Sequence, residues 1–183
     1  VVYYLNGVTV ENNAISGKGD YPVRVTFAKN INIRNNKIYA PGQKAAIGCY
    51  NGGDSTINIV GNTITGAPQK GITVFTLTEF KKALGNSVVG NISKNIMTDV
   101  KGNAIHITDS TVGHVDGNKI SGKACTGGVF SARAKITSIS GNVIKNIKGQ
   151  GIYMSSGSVV SKVDKNTIKK TGKEGILLTS QSK

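Results

Sequence analysis

The side chains best suited to proton transfer in this sequence are two histidines, His106 and His114, with Asp99, Asp109 and Asp116 close to them along the chain. A carboxylate beside an imidazole can do acid–base work, so His106, Asp109 and His114 are candidate catalytic residues. Capture of a hard cation needs several converging oxygens. Glu11, Asp116 and Asp164 occupy equivalent positions of a sequence repeat but never adjacent copies. In stacked strands they would stand ~10 Å or more apart. No metal site and no cofactor are expected. Glycine-rich phosphate loops, paired-cysteine, HExxH and GxSxG motifs are absent.

The repeat decides what any of these residues can meet. Asn-x-Ile, once Asn-x-Met, recurs at Asn13, Asn36, Asn62, Asn95, Asn118, Asn142 and Asn166, at intervals of 23, 26, 33, 23, 24 and 24 residues. Three positions before each Asn stands an apolar residue: Val10, Ile33, Ile59, Ile92, Val115, Ile139 and Val163. Two positions after it stands another: Ile15, Ile38, Ile64, Met97, Ile120, Ile144 and Ile168. A third apolar column follows at Val23, Ile47, Ile72, Ile105, Val129, Ile152 and Ile176, usually with glycine or alanine just before it. No stretch keeps a 3.6-residue period, and triplets such as Ile31-Asn32-Ile33 read as strands. A unit with one short strand per side cannot bury its inner face alone, so the copies must stack. The spacing predicts an all-β, right-handed parallel β-helix: a single solenoid of about seven coils with three short strands per coil, over residues 1–183. Both ends fall within a coil, which reads as a piece of a longer protein lacking end caps. Asparagine suits the bends, since its amide bonds to local backbone and can ladder with its neighbours in the stack.

Composition narrows the partners. The 183 residues hold 23 Lys and Arg against nine Asp and Glu, a formal charge of +14, with no Trp and 24 Gly. The core must come from many small aliphatic positions, and the charge favours polyanionic partners. Apolar runs of four or five residues fall far short of the ~20 needed to cross a bilayer, so membrane insertion is not expected. Nucleic acid is disfavoured, because no basic patch with interleaved aromatics is evident. Cys49 and Cys125 fall on different coils, ~14 Å apart by strand spacing, and are expected to be free thiols. Asn91-Ile92-Ser93 is a lone glycosylation sequon.

Alternation along the third column points Arg24, Gly48, Thr73, His106, Phe130, Tyr153 and Leu177 outward, so His106, Phe130 and Tyr153 should form an exposed ring stripe. Rings in such a row suit stacking on sugars or covering a partner's apolar surface. The column before the asparagines points Thr9, Asn32, Asn58, Asn91, His114, Ser138 and Lys162 outward. Exceptions to the repeat fall at one corner. The distance from the third column to the next coil's first column is ten or eleven residues in four coils, but 12 from Ile47 to Ile59 and 20 from Ile72 to Ile92. The inserted residues bring Asp54, Glu79, Phe80, Lys81 and Lys82 to a candidate binding lip, with Thr78 and Gly85 placed to bound a helical turn.

The Asn-x-Ile/Gly-Ile pattern, as in Gly61-Asn62-Thr63-Ile64 followed by Gly71-Ile72, resembles the repeat of the pectin-lyase-like superfamily over essentially the whole chain. The resemblance implies a parallel β-helix but no single activity, since that superfamily spans lyases, hydrolases, epimerases, tailspikes and adhesins. Its lyases pair clustered carboxylates with an Arg or Lys base, which makes Arg24 a further candidate. The expected function is an extracellular or cell-surface module of a bacterial protein, binding acidic polysaccharide, a surface glycan or another macromolecule, with a protein partner also open. The alternatives are a polysaccharide lyase or uronate epimerase, and a structural spacer.

Overall fold

The computed structural model describes residues 2–3, 5–42, 44–50, 56–76 and 86–180, with side chains from residue 5 onward. Twenty-two strands among the described residues form three parallel sheets of eight, seven and seven strands. Among the described residues there is no helix. The chain visits the sheets in turn, so each strand pairs with the strands of the coil before and the coil after.

Register follows the repeat. In the first sheet Val23, Ile47, Ile72, Ile105, Val129, Ile152 and Ile176 are successive partners. The second sheet aligns Val10 through Val163, and the third aligns Ile15 through Ile168, in the expected columns. These columns face one shared interior, where Ile47, Ile59, Ile64, Ile72, Ile92, Met97, Ile105 and Ile152 are all fully buried. Glycine precedes the first-sheet core residues Ile72, Val129 and Ile152, where no side chain fits: a Cβ on Gly128 would lie 2.4 Å from the Gly151 carbonyl oxygen. Cys49 and Cys125 are buried free thiols, and burial pushes Cys49 up to about 12, so its nucleophilic thiolate is suppressed.

The seven repeat asparagines form one continuous ladder. From Asn13 to Asn142 each side-chain amide donates to the Oδ1 of the next Asn at 2.9–3.1 Å. The same Oδ1 accepts the preceding Asn's backbone N–H at 2.9–3.0 Å. From Asn36 onward each amide also donates back to a carbonyl of the preceding coil, at 2.7–2.9 Å. One side chain thus ties three coils. The left-handed backbone of the bend belongs to the residue before it, a column of Asn12, Asn35, Gly61, Lys94, Gly117, Gly141 and Lys165 with φ between 53° and 69°. The asparagine supplies hydrogen bonds, while its neighbour supplies the turn.

The longer insertion is closed at its base. Ser87 N donates to Thr76 Oγ1 at 2.6 Å, Ser87 Oγ donates to the Phe75 carbonyl at 2.8 Å, and Thr76 Oγ1 donates to the Asp109 carbonyl of the next coil at 2.6 Å. Asp54, Thr78, Glu79, Phe80, Lys81, Lys82 and Gly85 lie outside the described residues.

Candidate functional site

The proton-transfer candidates are dispersed over separate environments. Asp109 sits at a corner with φ 48° and is held by Arg133 of the next coil, whose Nε and guanidinium nitrogen donate to its two oxygens at 3.0 and 2.7 Å. His114 lies on the second sheet with its Nδ1 2.9 Å from Ser138 Oγ, while Ser138 Oγ lies 3.0 and 3.1 Å from the Asp116 oxygens. The Asp116 carboxylate also lies 3.6 Å from that same His114 Nδ1, so serine and carboxylate share one ring nitrogen. A serine nucleophile needs the imidazole to take its proton, with the carboxylate on the far side of the ring. Here the single hydroxyl proton goes to the carboxylate, leaving His114 Nδ1 to donate to Ser138. This cluster forms a polar groove of about 470 Å³ with Ser140, Lys162 and Asp164, suited to hydrogen bonding rather than acyl transfer. Asn91, the sequon residue, donates to Asn58 Oδ1 at 2.7 Å within the same outward ladder.

His106 belongs to the first sheet. Its ring stacks on Phe130 with centroids 4.7 Å apart at 23°, and Phe130 meets Tyr153 edge-on at 5.3 Å. The expected ring stripe is present, in the order Thr73, His106, Phe130, Tyr153. Asn103 Nδ2 lies 3.1 Å from His106 Nδ1. With the amide donating, Nδ1 accepts and Nε2 carries the hydrogen. Burial, reinforced by the Lys70 ammonium, pushes His106 from 6.5 down to about 4, so the ring is neutral near pH 7 and a weak base.

That shift has a consequence for stability. As pH falls below 6.5 the unfolded chain takes up a proton on His106 while the folded chain resists until about 4, so this residue's share of stability is intact above 6.5 and lost progressively below it. The loss should reach about 2 kcal/mol, allowing for the ring's partial exposure. His106→Gln should therefore show a shallower decline of melting temperature between pH 7 and pH 4 than the parent. Parallel declines would show that His106 does not titrate this way.

A second ring cluster joins the stripe on the first-sheet face. Tyr50 lies 5.3 Å from Tyr21 and 4.0 Å from Phe75, both edge-on, and the Arg24 guanidinium lies 4.8 Å from the Tyr50 ring centre. Arg24 Nε also donates to Thr26 Oγ1 at 3.2 Å, so Arg24 is committed to a cation–ring packing role. Between the clusters a cleft of about 320 Å³ is lined by Tyr21, Lys44, Lys70, Thr73, Phe75 and His106, among others. Lys44 is paired with Asp20 at 2.7 Å, which raises its pKa, whereas burial lowers that of Lys70. Thr73 is 1% exposed, and its Oγ1 has no hydrogen-bond partner among the described residues. A buried hydroxyl without a partner is costly, and this one lines the cleft.

Tyr50 and Phe75 escape a reading of one outward column per strand, because they stand two residues beyond it. Extending the apolar–polar alternation to Thr26, Tyr50, Phe75 and Thr108 would have found them. Tyr21, Lys44 and Lys70 come from the approach to the sheet and the start of its strands, where the repeat is least regular. Among the described residues, no group of three or more His, Cys, Asp or Glu converges to hold a metal ion. Glu11 instead pairs with Arg34, and Asp164 with Lys162.

Searches among curated proteins and among solved structures return no match. The model of the family described as "Right handed beta helix region" matches residues 1–92 and 82–183. With its parallel sheets, Asn ladder and single shared core, the chain belongs to that right-handed β-helix family.

Proposed function

We propose that this chain is a carbohydrate-binding module of a secreted or cell-surface bacterial protein, and that it takes an acidic polysaccharide along the outer face of its first sheet. The observation that carries this reading is the cleft in which the Tyr21, Phe75 and His106 rings stand with the Lys44 and Lys70 ammonium groups around the unpaired Thr73 hydroxyl. Rings offer flat apolar faces to sugars, and the cations meet carboxylates. The strip continues over Phe130 and Tyr153, room for a polymer rather than a single sugar. A binding reading is favoured over lyase or epimerase chemistry because Arg24, His106, Asp109 and His114 each have other partners and do not converge.

Affinity electrophoresis in polygalacturonate at low salt tests this. Retardation is expected, and it should weaken steeply as salt screens exposed charge over ~8–10 Å. Replacing Lys44 and Lys70 together by Ser should lower affinity about tenfold, equivalent to ~1.4 kcal/mol, while a neutral polymer should not retard the chain. If no acidic polymer binds at low salt, the module reading fails and a spacer remains. Ultraviolet-absorbing unsaturated products would replace binding by lyase chemistry.

A further inference from the structure

The third sheet carries a charge pattern that the sugar-binding reading does not use. Its strands Lys119–Ser121, Val143–Ile147 and Thr167–Thr171 lie side by side, and Lys119, Lys145 and Lys169 stand exposed on them. Lys145 and Lys169 are direct partners in register, so two like charges face each other at ~4.8 Å, an arrangement that destabilises a sheet unless something offsets it. Exposed Lys170 follows Lys169 on the last of these strands, the corner toward the first sheet adds exposed Lys123, Lys148 and Lys173, and the opposite corner adds Lys165. Between Gly117 and Lys173 the only acidic residue is Asp164, which lies on the second sheet and is paired with Lys162. None of these eight lysines on the sheet and its corners has an ion-pair partner among the described residues. On the same sheet, earlier in the stack, Tyr39 is 53% and Ile96 41% exposed.

We propose that this face docks the solenoid side-on against an anionic lipid surface. The shape of the array selects that partner. The lysines spread across the sheet and around both of its corners, so a linear polymer lying along the axis would meet one column and leave the rest unpaired. A plane of anionic headgroups meets them all. Lysine stems let the charges reach a common plane, and exposed Ile96, the register partner of Lys119, adds an apolar side chain at the edge of the array. Among the described residues no helix is long and apolar enough to cross a membrane.

Flotation of the full chain with vesicles tests the proposal. Vesicles of mixed phosphatidylcholine and phosphatidylglycerol should carry the protein upward at low salt, and pure phosphatidylcholine should not. Each lysine near an anionic surface contributes about a fivefold factor, so Lys119→Gln, Lys145→Gln and Lys169→Gln together should lower the partition about a hundredfold. An equal-charge control, Lys29→Gln, Lys135→Gln and Lys162→Gln, should change it less than about tenfold. A thermal melt of both variants confirms folding. Equal losses in the two variants, or no flotation with anionic vesicles, would overturn the proposal. It would also fall if the third-sheet variant lost polygalacturonate retardation while keeping vesicle binding. The cleft variant lacking Lys44 and Lys70 should be retarded less and keep flotation, which separates this docking from the sugar reading.

Discussion

Replacing Asn118 by Ala is expected to destabilise the fold by roughly 3–5 kcal/mol, because each buried polar group left unpaired costs ~1–3 kcal/mol. Asn118 is fully buried, its Oδ1 accepts both the backbone N–H and the side chain of Asn95, and its amide donates to Asn142 Oδ1 and to the Ile92 carbonyl. Truncation strands the Asn95 N–H and the Ile92 carbonyl in the interior and opens a gap between coils. Asn118→Asp should be nearly as severe, since a carboxylate accepts the Asn95 bonds but cannot donate the other two. Asn166, half-buried and last in the ladder, should cost only about 1 kcal/mol on the same change, because water can reach what it leaves. Denaturant midpoints for the three variants give the ranking. Hydrogen exchange in the flanking coils locates the damage where a stacked array unfolds unevenly. A loss below about 1 kcal/mol for Asn118→Ala would show that the ladder is not what joins the coils.

The second large effect is expected in the aliphatic column. Ile105 is fully buried and partnered in register by Ile72 and Val129. Ile105→Ala should cost about 2–5 kcal/mol through lost burial and the cavity left behind. The upper half of that range is expected, because its neighbours are tied to strands pinned on both sides and cannot collapse inward. Ile176, in the same column but 48% exposed at the last coil, should lose less than about 1 kcal/mol on the same change. Melting temperatures of the two variants, taken at one protein concentration, make the comparison. Equal losses would contradict the burial gradient along the stack.

Most of the architecture was legible because one residue type repeats where the chain must bend. The seven asparagines set the phase of each coil, and alternation then assigned inside and outside, down to the outward row from Arg24 to Leu177. The bend itself was harder to read. Its left-handed residue is Asn, Gly or Lys by turns, so no single letter marks it, and Lys94 and Lys165 hold that conformation against their own preference because the surrounding ladder over-determines it. The site was legible only in part. His106, Phe130 and Tyr153 lie on a regular column, but the cleft depends on Tyr21 and Lys44, which reach the sheet from a turn, and on Tyr50 and Phe75, one alternation further along. Nor could spacing show that Ser138 reaches both His114 and Asp116, since that contact arises from side-chain direction across two coils.

Asn62 and Asn95 are 33 residues apart along the chain, ten more than Asn95 and Asn118, yet the hydrogen bond in each pair is 3.0 Å long. Contour length and coil geometry are therefore uncoupled at the corner between the first and second sheets. Thr76 and Ser87 close the base of the longer excursion, so the strands beyond it sense only a fixed span. Doubling the length of such an excursion costs only ~0.6 kcal/mol in closure entropy. Foreign peptide epitopes grafted between Thr76 and Ser87 would ride on the solenoid without disturbing its phase, spaced from neighbouring grafts by multiples of ~4.8 Å, which makes this corner a ruler on which ligands can be displayed.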